Sequence, residues 1–162
     1  MLTDRMMTLR CKLRIASFKL FQRGRIQLGW SVSFRRRFVV NIRSKKSPAI
    51  SIGDNVFFNN DCSLNCHESI TIGNYTIFGE GVKVYDHDHG FALNGLPFNK
   101  QPIHAEPVVI GSNCWLGSGV IVLKGVTIGD NSVIGANTVV THDVPPNSVV
   151  IAHQDIVVKE LH

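Results

Sequence analysis

From Ile110 onward an aliphatic side chain recurs at every sixth residue without a slip: Ile110, Leu116, Val122, Ile128, Ile134 and Val140. At 100° per residue a six-residue step turns an α-helix by 240°, so successive positions of this set cannot share a helical face. Six is a multiple of two, and on an extended chain all of them lie on one side. Gly follows immediately at Ile110, Leu116, Ile128 and Ile134, which puts a bend into most periods and keeps each strand short. The earlier half keeps the same rhythm with Leu28, Phe34 and Val40, then, across a gap at Lys46, Ile52, Phe58 and Leu64, and after a shift of two, Ile72, Phe78 and Val84. Four residues past most of these stands a second small or β-branched residue, as at Val56, Cys62, Thr76, Val82, Cys114, Val120, Val126, Ser132, Thr138 and Val144. A short, uniform repeat of this kind predicts a solenoid, in which each unit buries its apolar residue only by stacking on its neighbours.

At 162 residues, 44 % of them apolar, the chain is long and apolar enough for one packed domain. No run of 18 apolar residues occurs, and the longest uncharged stretch, Pro107 to Leu123, is interrupted by Gly, Ser and Asn, so no membrane-spanning helix is expected. The N-terminus intersperses Arg and Lys among its apolar residues and shows no leader-like apolar core. Together these predict a cytoplasmic protein. Cys11, Cys62, Cys66 and Cys114 lack the paired close spacing of a metal or redox site, and Cys62 and Cys114 fall on core positions of the repeat. Charge is divided unevenly. Residues 1–46 hold 13 of the 17 basic residues and one acid, a net of +12, while the other 116 carry four basic and eleven acidic residues, a net of −7. Such asymmetry predicts a front segment suited to an anionic surface.

The run IGSNCWLGSGVIVLKGVTIGDNSVIGANTVV, within a pattern extending over about residues 26–150, resembles the hexapeptide-repeat acyltransferases. The resemblance implies a left-handed parallel β-helix of triangular section, about five to six coils of three short strands and eighteen residues each. On this reading residues 1–24 form a basic amphipathic helix, residues 25–153 the β-helix, and residues 154–162 a tail.

Besides the gap at Lys46 and the shift of two, the rhythm has one long break. After Val84 the residues YDHDHGFALNGLPFNKQPIHAEP, 85–107, intervene before Val108 and Ile110 resume it. Three prolines and two glycines mark an extruded loop, and a loop bearing ionisable groups on a rigid scaffold is a common home for catalysis. His87 and His89 alternate there with Asp86 and Asp88. An imidazole is the natural general base near neutral pH, and either carboxylate would fix its tautomer.

Within the family, the sugar O-acetyltransferases of the galactoside and maltose type keep a histidine at the start of such a loop and an asparagine in the preceding coil. By gap-free matching these fall on His89 and Asn59, with His87 as the alternative base. The resemblance implies direct transfer: His89 takes the proton of an acceptor hydroxyl as its oxygen attacks the thioester of acetyl-CoA, then protonates the leaving thiolate. It also implies backbone amides of Gly117 and Ser118 as oxyanion donors, Asn59 holding the acceptor or the histidine, and Trp115 as a wall for the acetyl or pantetheine part. Ala136, Thr141 and His142 match the far end of a CoA groove lying between subunits of a homotrimer. Relatives end in a Gly-x-Pro-Ala-Lys-like basic segment, whereas this chain reads VVIAHQDIVVKEL, leaving Lys124 or Lys159 to meet the CoA phosphates.

The resemblance thus predicts an acetyl-CoA-dependent O-acetyltransferase acting on a sugar hydroxyl of a bacterial surface polysaccharide or its precursor. N-acetylation of an amino sugar, acetylation of another small molecule, and a non-catalytic β-helix scaffold are the alternatives. No metal is expected: carbonic anhydrases sharing the fold need two histidines about five residues apart on a coil, and no pair here has that spacing. In the front segment Met6, Leu9, Leu13, Ala16 and Leu20 follow helical spacing with Arg5, Lys12, Lys19 and Arg23 to one side, a pattern fitting either a cap across the end of the prism or peripheral membrane contact. Arg35, Arg36 and Arg37 are expected on a solvated strand face, His67 at a surface turn, and no nucleic-acid module is recognisable.

Overall fold

The computed structural model describes residues 24–93 and 95–153; the amphipathic pattern of the front segment, Cys11 and Lys159 lie outside them. Five turns of chain wind into a parallel β-solenoid. The first turn comprises β1 (Ile26–Leu28), β2 (Ser33–Phe34) and β3 (Val39–Ile42), the second β4 (Ile50–Ile52), β5 (Phe57–Phe58) and β6 (Ser63–Cys66), and the third β7 (Ile70–Ile72), β8 (Ile77–Phe78) and β9 (Lys83–Tyr85). A hairpin then departs through β10 (His87–His89), a short 3-10 turn at Phe98–Lys100, and β11 (Ile103–Ala105). The fourth turn is β12 (Val108–Ile110), β13 (Trp115–Leu116) and β14 (Ile121–Val122), the fifth β15 (Thr127–Ile128), β16 (Val133–Ile134) and β17 (Val139–Val140), and β18 (Val149–Val150) starts a further partial turn.

Strands of equal rank stack into three parallel sheets: β1-β4-β7-β12-β15, β2-β5-β8-β13-β16-β18, and β3-β6-β9-β14-β17. The residues at six-residue intervals point inward, as predicted. Ile52, Phe58, Leu64, Ile72, Phe78 and Val84 are almost wholly buried, as are Ile110, Leu116, Val122, Ile128 and Ile134. The second small position of each period is buried too, including polar Thr76 and Ser132, whose hydroxyls donate to Gly111 O and Pro145 O. In the wider first turns the core is aromatic: Phe38, Phe58 and Phe78 stack in series with centroids 4.7 and 4.4 Å apart.

The turns are not uniformly eighteen residues. Bonds across the first–second sheet corner join residues 24, 20, 38, 18 and 16 apart in successive layers. The gap at Lys46 accounts for the first expansion, the shift of two for the second, and the hairpin for the third. Arg35–Arg37 lie in the turn between β2 and β3 instead of on a strand face, with Arg37 in the left-handed region at φ 56° and ion-paired to Asp61 one turn on.

Candidate active site

The corner between the third and first sheets is where the hairpin leaves the solenoid, and its geometry begins at Asp86. The last residue before β10 has no exposed surface. Its carboxylate accepts the backbone N–H groups of His67 and Glu68, each at 2.7 Å, and Nδ1 of His87 lies 3.0 Å from the same carboxylate. A single buried acid therefore ties the hairpin's root to the turn below. The His87 ring stacks on His67 with centroids 3.9 Å apart. Partial burial, His87 and Arg43 push the His67 imidazolium below its ordinary proton affinity, while Asp86 opposes them.

β10 and β11 pair antiparallel, His87 opposite Ala105, Asp88 opposite His104, and His89 opposite Ile103. The loop is thus an ordered arm, closed at its far end by the buried Gln101, whose amide accepts from Ala92 N and donates to the carbonyls of Ala92 and Leu96. Period-two alternation puts His87 and His89 on one face of β10. His89 is exposed, and its ring makes no hydrogen bond among the described residues. Asp86 accordingly orients His87, and not His89. Asp88 lies on the opposite face, 3.7 Å from Lys124 Nζ, with Oδ1 buried and without a partner among the described residues. Lys124 itself donates to Glu106 at 2.8 Å, so this lysine clamps the base of the hairpin and is not a free cation for phosphate. His67 is likewise more than a surface turn residue, being half-buried against His87.

Asn59, Trp115, Gly117, Ser118 and Ala136 sit on a different edge of the prism, along the second sheet and its corner with the third. Trp115 points outward and is 54 % exposed, so it is a surface wall and not a buried corner aromatic. The Gly117 amide donates to Ile134 O at 2.8 Å; it belongs to the sheet ladder and is not available as an oxyanion donor. The Ser118 amide has no partner among the described residues. Gly117 is packed so closely that a Cβ would stand 2.7 Å from Ala136 N. Asn59 Oδ1 accepts Asn60 N. Thr141 and His142 follow β17 at the third–first corner, bonded to each other at 2.8 Å, away from Ala136. One chain therefore gathers two half-sets: histidines and carboxylates on one edge, Trp115, the Ser118 amide and Asn59 on another.

Repeat and hairpin together define a parallel β-solenoid with one long ordered arm. Residues 107–142 match the model of the bacterial transferase hexapeptide family, six repeats. The chain is 31 % identical over 144 residues to an Escherichia coli protein provisionally named lipopolysaccharide biosynthesis O-acetyl transferase WbbJ, covering 85 % of this chain and 74 % of that one. It is 37 % identical over 118 residues to the galactoside O-acetyltransferase of E. coli, covering 70 % of this chain and 55 % of the relative, so it spans only about half of that protein. Among solved structures, a hexapeptide-repeat acetyltransferase of Vibrio cholerae complexed with acetyl-CoA superimposes with a TM-score of 0.69 at 29 % identity, covering 85 % of this chain and 72 % of that one. The chain belongs to the hexapeptide-repeat acetyltransferase family. No group of three or more metal-binding side chains occurs among the described residues, and no described helix is long and apolar enough to cross a membrane.

Proposed function

We propose that the protein transfers acetyl from acetyl-CoA to a hydroxyl of a sugar, in a bacterial surface polysaccharide or its precursor. The observation that carries this reading is the long interruption of the solenoid after β9, a hairpin rooted by Asp86 that presents His89 uncommitted to solvent. Relatives named for lipopolysaccharide and galactoside acetylation support the acceptor class.

His89 takes the proton from the acceptor hydroxyl and returns it to the departing thiolate. Acetyl-CoA supplies the activated carbonyl. The Ser118 amide faces the developing oxyanion, Trp115 offers a flat apolar wall for the thioester arm, and Asn59 holds the acceptor. Because His89 and Ser118 lie on different prism edges, two copies supply one site, the arrangement of a homotrimer with three sites between subunits. Thr141 and His142 then meet the CoA of one interface and Ala136 that of the next.

A second reading exchanges the histidines. It is favoured by the His87–Asp86 contact, the orientation expected of a base with a carboxylate partner. Turnover of neutral and amino sugars, followed as release of CoA thiol, decides among these readings. Loss of about 10²- to 10⁴-fold in His89→Ala with CoA affinity retained supports the first; a near-normal rate in that variant and loss in His87→Ala supports the second. Absence of CoA binding by calorimetry overturns both.

A further inference from the structure

A concavity of about 570 Å³ opens beside the hairpin root, against edge strand β3 and the adjoining turn, with Asn41, Arg43, Asn65, His67 and His87 among its lining residues. Its charge is one-sided. The nearby acids are already committed: Glu68 to Lys46 at 2.5 Å, and Asp86, wholly buried, to two backbone amides and His87. Arg43 forms no ion pair among the described residues, and its charge is one of the influences that disfavour a proton on His67. An anion placed here meets a guanidinium and two imidazoles with no uncommitted carboxylate among the lining residues. Asn41 Nδ2 donates to Asn65 Oδ1 at 2.8 Å, which leaves Asn41 Oδ1 and its second N–H for a group that both donates and accepts, as a sugar hydroxyl does.

We propose that this concavity is the acceptor subsite and that it selects a sugar bearing an oxyanion, a carboxylate or a phosphate, held by Arg43 and His67 with hydroxyls on Asn41 and Asn65. The inference rests on the acetyltransferase reading and names its substrate class. His87 lines the concavity and His89 lies two residues further along the same face of β10, about 7 Å away at strand spacing. One hexose ring spans that interval, so an acceptor anchored by its anion presents a ring hydroxyl to His89. Guanidinium binds either oxyanion in a two-pronged fashion, so the chemistry is shared between a uronic acid and a sugar phosphate.

The test titrates the full-length protein with methyl galacturonide, galactose 1-phosphate and methyl galactoside, reading affinity by calorimetry and the imidazole signals of His67 by NMR. The charged sugars are expected to bind at least about tenfold more tightly than the neutral one, roughly the worth of one charge-assisted hydrogen bond, and to shift His67. Whichever charged sugar binds more tightly identifies the source of the anion. In Arg43→Gln, shown by its melting curve to be folded, the three affinities converge, and Arg43→Lys restores part of the preference. Equal affinities in the wild type, or a preference surviving Arg43→Gln, overturn the subsite. Absence of CoA binding with the sugar preference intact overturns the acetyltransferase reading and leaves the concavity an anionic-sugar site that is no acceptor subsite; acetylation of charged and neutral sugars alike, with equal binding, sinks the subsite alone.

Discussion

Asp86 shows how one side chain escapes a reading made from spacing. Its place in DHDH suggests a partner for a catalytic histidine, yet two of its three hydrogen bonds go to main-chain amides of another turn, which no local pattern reveals. Replacing Asp86 with Ala leaves the partly buried His67 and Glu68 N–H groups without their acceptor, at about 1–2 kcal/mol each; urea unfolding is expected to show a loss on the order of 2–4 kcal/mol. His67 gives a pH dependence of definite sign. The folded state binds its proton less readily than the ordinary value of 6.5, through burial first and then His87, with Arg43 and His89 adding and Asp86 opposing. Its contribution to stability is therefore complete above that value and is lost as pH falls through it, because the unfolded chain takes up the proton first. Urea midpoints at pH 7.5 and 5.5 should fall further apart in the wild type than in His67→Gln. The cysteines were legible from phase alone for Cys62 and Cys114, and Cys66 joins them in the core. Burial pushes Cys62 up to about 11 and Cys66, with Asp86 adding, to about 12. Peptide mapping after iodoacetamide at pH 8 should find these two and Cys114 unmodified until denaturant is added.

The strands were legible because their cores repeat: each inward Ile, Leu, Val or Phe lies in phase with its neighbours on the turns above and below. The hairpin was not, since its strands are three residues each, HDH carries no apolar residue, and the two pair through backbone bonds across a long connection. The Gly117 amide was misassigned for a related reason, as a turn glycine in sequence gives no sign of which amides the next layer takes. Close stacking at this corner is testable. A Cβ on Gly79 would lie 2.5 Å from Ser118 N, and there the obstacle is backbone. Gly79→Ala is expected to cost about 1–3 kcal/mol and, by displacing the Ser118 amide, to lower kcat more than it raises KM. A variant of lower melting temperature with unchanged kcat would remove Ser118 from the mechanism.

The proposed mechanism needs the two half-sets to meet, and it places that meeting in an assembly of copies. Within one chain the hairpin histidines follow the third sheet and Asn59 and Ser118 follow the second, and a rigid solenoid cannot fold one edge onto another. In the proposed homotrimer a closed ring of three copies would bring unlike edges together at each interface and make the active site a property of the assembly. Subunit mixing tests this directly. Asn59→Ala and His89→Ala each disable one half-set, and homogeneous preparations of either should be nearly inactive. When the two are co-expressed, an interface that takes Asn59 from the His89→Ala chain and His89 from the Asn59→Ala chain is intact. Random assortment makes this so for about one interface in four, so mixed protein should recover about a quarter of wild-type turnover. If every site lay within one chain, each would keep one defect and mixing would restore nothing.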